Sequence, residues 1–551
     1  MPIREVFFMK RRCFFGLAAS LFILALISLT CQKSLASEGG KSGKVKNVIM
    51  VIGDGMGPQA VGFLNAYAKY APRSIYADQG RTTATEKIME AGVFGMAYHE
   101  AAYVLVTDSA ASASQIATGK HALSETVGLD RDGNPAETIL EKAKKMGKST
   151  GLVSDTRITH ATPACFAAHQ PHRSMENEIA AELLKSNNVD VMLSGGLRYW
   201  IPKEASDKNA EIHKKLSVRT GGRIKIKSKR KDSRNLLNEA ESAGYELAFT
   251  SGQMKKAEGK KLLGLFSYSA LPFRIDLETN APDRTVPTLK EMATKALEVL
   301  SENDKGFFLM VESGLIDWAG HDNDAGTLLH ELIRFDETLA YIYDWVKGRN
   351  DTLLIVTADH ETGGFGFSYS RKDIPQPEDF PGETFKDAKF APRFHFASYE
   401  LLDRIYDQKI SYRKILEEFD ALAEDRRTPQ AMSEIVNRNT EFPITPADAA
   451  EILAREKNEY YVKGHKYLKA KTFPKINDFK EFYVYSEEVR SDILGRVVAR
   501  QQNVVWSTGT HTNTPVPLIA YGPIQISEKF GGLLHTTEWA QLAIDAMTNA
   551  E

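Results

Sequence analysis

The sequence predicts an α/β fold: a three-layer α/β/α sandwich around a mostly parallel sheet, with a large helical insertion as a cap or crown. Two observations carry that expectation. Short β-branched runs end in polar or glycine-rich clusters, as strands buried on both faces do. Helical patterns, with apolar residues three and four apart, lie between them. The order strand, helix, strand is that of crossover units building a parallel sheet.

The strand-like runs are Val45 to Ile52, Val189 to Leu193, Gly306 to Val311, Leu353 to Val356 and Val516 to Tyr521; the helical patterns include Leu289 to Leu300 and Leu328 to Val346. Two stretches read as insertions in a catalytic domain spanning 37–551. Residues 203–234 carry seven basic residues from Arg223 to Arg234, a solvated loop or a polyanion site. Residues 365–504 turn helical and charged, with capped helix starts at Thr428-Pro429 and Thr445-Pro446-Ala447-Asp448. With 551 residues, 42% hydrophobic and 26% charged, the chain can bury a large core and is neither a small disulfide module nor a disordered tail.

Residues 1–36 read as a cleaved secretory signal. Arg4, Lys10, Arg11 and Arg12 precede an apolar run from Phe14 to Leu29, too short for a bilayer-spanning helix, and Ser34-Leu35-Ala36 suits a signal peptidase. Their removal takes five basic residues and one acidic, so 70 against 72 becomes 65 against 71, a mildly acidic mature chain. That charge implies neither nucleic acid as a specific partner nor, with the leader gone, an integral membrane segment. The expected location is periplasmic or secreted. Cys31 could accept a lipid, but Ser28-Leu29-Thr30 before it fits that role poorly, and after cleavage Cys165 would be the one cysteine left, with no internal disulfide.

Six clusters carry chemistry. Asp54 follows the first strand among glycines, as a turn former or as a ligand at the strand edge where open α/β sheets bind. In Asp108-Ser109-Ala-Ala-Ser a helix start suits an anion, though Ser109 could simply cap it. His160, Thr162, His169, His172 and Arg173 suit a metal and a bidentate oxyanion clamp, or else packed and surface histidines; Cys165 among them reads as core. Glu312 follows a strand, and Asp317 with His321 has the i, i+4 spacing of two ligands on one helical turn, beside Trp318. Asp359-His360 ends another strand, and His511 enters the last. Together these mixed nitrogen and oxygen ligands suffice for two or three divalent ions.

This constellation resembles the alkaline phosphatase family from about Lys46 to Pro523. The resemblance implies two zinc ions, one on Asp317, His321 and His511, the other on Asp54, Asp359, His360 and the oxygen of Ser109. It implies one magnesium on Asp54, Thr162 and Glu312, with Ser109 as nucleophile, Arg173 binding phosphate and Asp108 orienting Arg173. Small phosphate monoesters are then the substrates and a homodimer the expected assembly. His160 and Trp318 stand where one branch of the family has Asp and Lys, which places His160 beside the third site and removes a cation from the phosphate's surroundings. Thr362 replaces a common histidine and leaves open how the second zinc's ligands are oriented. A phosphodiesterase, a sulfatase, a phosphoglycerate mutase or a phosphate-binding or metal-storage protein would share parts of this set.

Overall fold

A computed structural model of the protein describes residues 45–279, 284–485 and 489–548; the signal-peptide expectation and Cys31 lie outside them. Ten strands form the central sheet: β1 (Asn47–Gly53), β2 (Val93–Tyr98), β3 (Ser149–Arg157), β4 (Val191–Gly195), β5 (Glu246–Ala248), β6 (Leu262–Leu265), β7 (Phe307–Ser313), β8 (Thr352–Thr357), β9 (Val516–Tyr521) and β10 (Gly532–His535). Their spatial order is β10-β2-β9-β8-β1-β7-β3-β4-β6-β5. Only β9 runs against its neighbours, β2 and β8, so the sheet is mostly parallel, as expected from the sequence.

β1 sits between β7 and β8, with Ile52 level with Glu312 on one side and Thr357 on the other. All of its residues are buried, which is why it reads as an unbroken apolar run. This register lines up the ends of three strands, and Asp54, Glu312 and Asp359 therefore emerge at one edge.

Two groups of helices, each packed within itself, accompany the sheet. Pro58–Tyr70, Ala84–Ala91, Leu289–Leu300 and Ala325–Val346 form one layer; Ser109–Thr118, Ile139–Lys145 and Thr536–Thr548 form the other. Leu289–Leu300 starts in a capping box between Thr288 and Glu291. Beyond β8, the helices Tyr412–Asp420, Pro429–Asn439, Pro446–Leu453 and Val489–Gln502 pack against one another. Thr428 caps the second of them, and a Thr445–Asp448 capping box opens the third. A short hairpin, Arg455–Lys457 with Thr472–Pro474, projects from this region. In the basic stretch, Arg230 is buried, pairs with Asp232 at 2.7 Å and donates to the carbonyls of Asn177 and Tyr199, so part of this segment is docked and not solvated. No helix among the described residues is long and apolar enough to cross a membrane.

Candidate metal and phosphoryl site

Three groups of ligand-type side chains converge at the carboxyl edge of β1, β7 and β8: Asp317, His321 and His511; Asp54, Asp359 and His360; and Asp54, Glu312 and His160. Asp54 and Asp359 follow β1 and β8, Glu312 lies in β7, and Asp317 and His321 lie on the helix Leu315–His321 just after it. Gly55 makes the close approach possible. Its φ is +73°, and a Cβ there would stand 2.8 Å from Asp317 Cα.

In the first group the Nε2 atoms of His321 and His511 are 3.2 Å apart, each within 3.5 Å of Asp317 Oδ1. The opposite ring nitrogens donate to backbone carbonyls, His321 Nδ1 to Gly509 at 2.7 Å and His511 Nδ1 to Thr107 at 3.0 Å. Both Nε2 lone pairs are thereby turned toward one point, the arrangement of metal-binding histidines. Only one proton fits between them. Burial pushes His511 down, but the Asp317 carboxylate beside it outweighs this and raises it; burial likewise opposes the charge on Asp317, and His321 and His511 hold its carboxyl well below the usual range.

In the second group His360 Nε2 lies 3.3 Å from Asp54 Oδ1 and 3.4 Å from Asp359 Oδ2. Burial and the nearby His511 keep His360 far below its ordinary pKa, so its ring is neutral and free to ligate. Thr362, at the position where the sequence left the ligand orientation open, lies between the first two groups. Its hydroxyl donates to Asp317 Oδ1 at 2.6 Å and accepts from His360 Nδ1 at 3.3 Å, tying the two groups together.

Glu312 is held by the hydroxyls of Ser154 and of Thr156, the latter at 3.0 Å, and Thr162 donates to Asp54 Oδ2 at 3.3 Å. His160, expected beside this group, falls within ligand range of Asp54 and Glu312. Its ring meets Trp318 edge-on at 6.2 Å. Asp54 Oδ1, Glu312 Oε1, Asp359 Oδ2 and His160 Nδ1 are buried without a hydrogen bond. Burial pushes Glu312 up to about 7; burial and the charge of Asp317 push Asp359 up to about 7. Unsatisfied buried carboxylates and neutral imidazoles facing one another are the donor set of divalent cations, so the residues fit the metals implied by the sequence.

Ser109 opens the helix Ser109–Thr118 but does not cap it. Asp108 does, accepting from Ala110 N at 3.1 Å and Ala111 N at 3.3 Å, which leaves the Ser109 hydroxyl to meet His360 Nε2 at 3.1 Å. Ser112 fastens the same helix to the Asp359 carbonyl at 2.7 Å. Arg173 donates to Asp108 Oδ2 at 2.9 Å and reaches His160 Nε2 at 3.4 Å. Burial works against the charge on Asp108, but Arg173 and the N–H groups of Glu125 and Ala110 hold its carboxyl below the usual range. Cys165 lies buried under this helix with its thiol pushed up by burial to about 12, a packing residue. The rings of His169 and His172 lie against Glu182 and Glu125 and join no ligand group among the described residues.

The site lies in a cleft of about 850 Å³. Its other wall, Gly464–Leu468 with Val484 and Tyr485, had no signal in the sequence. Ser154 and Thr156 were missed as well, although their i, i+2 spacing puts both hydroxyls on one face of β3.

The family pattern described as Alkaline phosphatase matches residues 45–548. Alkaline phosphatase 3 of Bacillus subtilis (strain 168) is 30% identical over 98% of this chain and 97% of its own. The repressible alkaline phosphatase of Saccharomyces cerevisiae is 34% identical over 71% and 68%. Among solved structures, the cold-active alkaline phosphatase of Shewanella sp. superposes with a TM-score of 0.64 at 25% identity, covering 91% of this chain and 99% of that one.

Proposed function

Because the chain belongs to the alkaline phosphatase family, hydrolases of phosphate monoesters, we propose that it is an exported enzyme releasing an alcohol and inorganic phosphate through a phosphoserine at Ser109. The observation that carries this reading is the Ser109 hydroxyl, freed from capping by Asp108 and set 3.1 Å from His360 Nε2. Asp317, His321 and His511 would hold one zinc ion, Asp54, Asp359 and His360 with Ser109 a second, and Asp54, Thr162 and Glu312 a magnesium ion. These ions would lower the pKa of the serine hydroxyl and neutralise the charge that builds on the attacking and leaving oxygens. His160 is a further candidate ligand at the third site, and an imidazole there favours zinc over magnesium.

The remaining steps belong to the chain itself. Arg173, held in place by Asp108, presents its guanidinium to the phosphoryl oxygens in the forked geometry that suits them. Ser109 Oγ bonds to phosphorus as the bond to the leaving alcohol breaks; water then cleaves the phosphoserine and regenerates the hydroxyl. Gripping the phosphoryl group and not the alcohol supports broad monoester use. Residues 37–551 form the catalytic domain in this reading, with insertions at 203–234 and 365–504. Export rests on the pattern of residues 1–36, and a homodimer on the family resemblance.

Steady-state hydrolysis of 4-nitrophenyl phosphate with zinc and magnesium, beside bis(4-nitrophenyl) phosphate and Ser109→Ala, tests the proposal. Expected are fast monoester turnover, a far slower diester rate, and a loss on the order of a thousandfold or more in the variant. A metal-loaded protein inert toward the monoester would overturn it.

A further inference from the structure

We propose that Lys466 forms a subsite for an anionic leaving group, so that the enzyme favours monoesters whose alcohol carries a second phosphate. This rests on the reading of Ser109 as nucleophile. In-line displacement puts the leaving oxygen on the far side of phosphorus from the attacking one. Ser109 Oγ is hydrogen-bonded to His360 in the second ligand group, so in this reading the leaving oxygen points to the other group, Asp317, His321 and His511.

The wall of the cleft stands behind that group. Tyr485 meets the His321 ring edge-on at 5.1 Å, Tyr467 meets Tyr485 at 5.0 Å, and Lys466 Nζ lies 4.7 Å from the Tyr467 ring centre. The loop bearing Lys466 and Tyr467 is closed on itself: Val462 N donates to the Leu468 carbonyl at 3.0 Å, Asn458 Nδ2 to the Ala470 carbonyl at 2.9 Å, and His465 Nδ1 accepts from Leu468 N at 3.0 Å. The lysine is thus carried on an ordered turn joined through two aromatic rings to a ligand-type histidine.

Charge distribution singles it out. Around the cleft Arg173 is paired with Asp108, Arg157 with Glu176 at 2.8 Å, and His172 lies 3.0 Å from Glu125. Lys466 has no ion-pair partner among the described residues, and it lines the same cleft as Ser109 and Arg173. A cation on the wall of the cleft that holds Ser109 and Arg173, without an ion-pair partner among the described residues, has a second phosphate as its complementary ligand.

The test compares propane-1,3-diyl bisphosphate with propyl phosphate, which share bond type and chain length and differ in the charge of the leaving group. The readout is the ratio of their kcat/KM values, in which the statistical factor for two phosphates is the same for every variant. Lys466→Ala should lower the ratio about five- to tenfold, Lys466→Glu should lower it further, Lys466→Arg should restore it, and added salt should shrink the wild-type ratio. A ratio that stays within twofold in both Ala and Glu variants overturns the subsite while leaving the nucleophile reading intact. Absence of turnover on both substrates in the metal-loaded wild type would instead remove the reading beneath it.

Discussion

The floor of the cleft and its wall are built in opposite ways. Floor residues sit at the ends of adjacent strands or on short helices that follow them, and Asp54, Glu312, Asp359 and His360 have no exposed surface. Their positions are fixed by strand register and by hydroxyls from Ser154, Thr156, Thr162 and Thr362. The wall is a loop on a hairpin of three residues per strand, with His465 and Lys466 exposed. A rigid floor suits chemistry whose geometry cannot drift, while a surface loop changes selectivity without disturbing it.

Substitutions on the floor should therefore cost most. Arg173→Ala removes the forked donor and should lower kcat/KM for 4-nitrophenyl phosphate by about 10²- to 10³-fold, with the phosphate inhibition constant rising in step. An equal loss from a change in the wall would break the division of labour.

Thr362→Val keeps the shape but deletes the hydroxyl between Asp317 and His360. Zinc affinity, measured by competition with a chelator, should fall about 10- to 100-fold. An unchanged affinity would mean that the bridge is incidental.

Metal removal should expose the strain in the floor through pH. In the chelated protein Glu312 and Asp359 stand near 7, above their ordinary values because burial opposes their charge. A carboxyl raised in the folded state contributes stability below its ordinary pKa and loses it as pH climbs through about 7. Cations displace those protons, so the Tm gap between loaded and chelated protein should widen as pH rises through about 7. A constant gap from pH 5 to 9, followed by differential scanning calorimetry, would contradict the assignment.

The smallest effect is expected at Trp318, a ring at the position where the family resemblance implies a lysine in one branch. Arg413 lies 4.9 Å over that ring but is committed to Asp322 at 2.5 Å. Trp318→Lys should tighten phosphate inhibition a few-fold; an inhibition constant that does not fall removes the idea.

The sequence was most legible where local pattern and chemistry coincide. β1, β4, β7, β8 and β9 are apolar runs; Asp54 follows β1 directly, and Asp359 and His360 follow β8 after Ala358. Besides the short β5 and β6, strands β3, β2 and β10 were not legible. Strand β3 interrupts its apolar pattern with the hydroxyls that serve Glu312, and β2 and β10 lie at the sheet margin with exposed residues such as Phe94 and Leu533. The same holds for Ser109, whose neighbour Asp108 takes the cap, because either residue type suits that position. The wall was hidden for a different reason: its nearness to His321 depends on tertiary packing of a segment more than a hundred residues away.

The central claim is that turnover passes through Ser109. Acid-quenching the metal-loaded enzyme during hydrolysis of a monoester, followed by peptide mass spectrometry, tests it directly. The account predicts a single phosphorylated residue, Ser109, and none in Ser109→Ala. Full turnover with no phosphate on Ser109, or with phosphate on another residue, would contradict it.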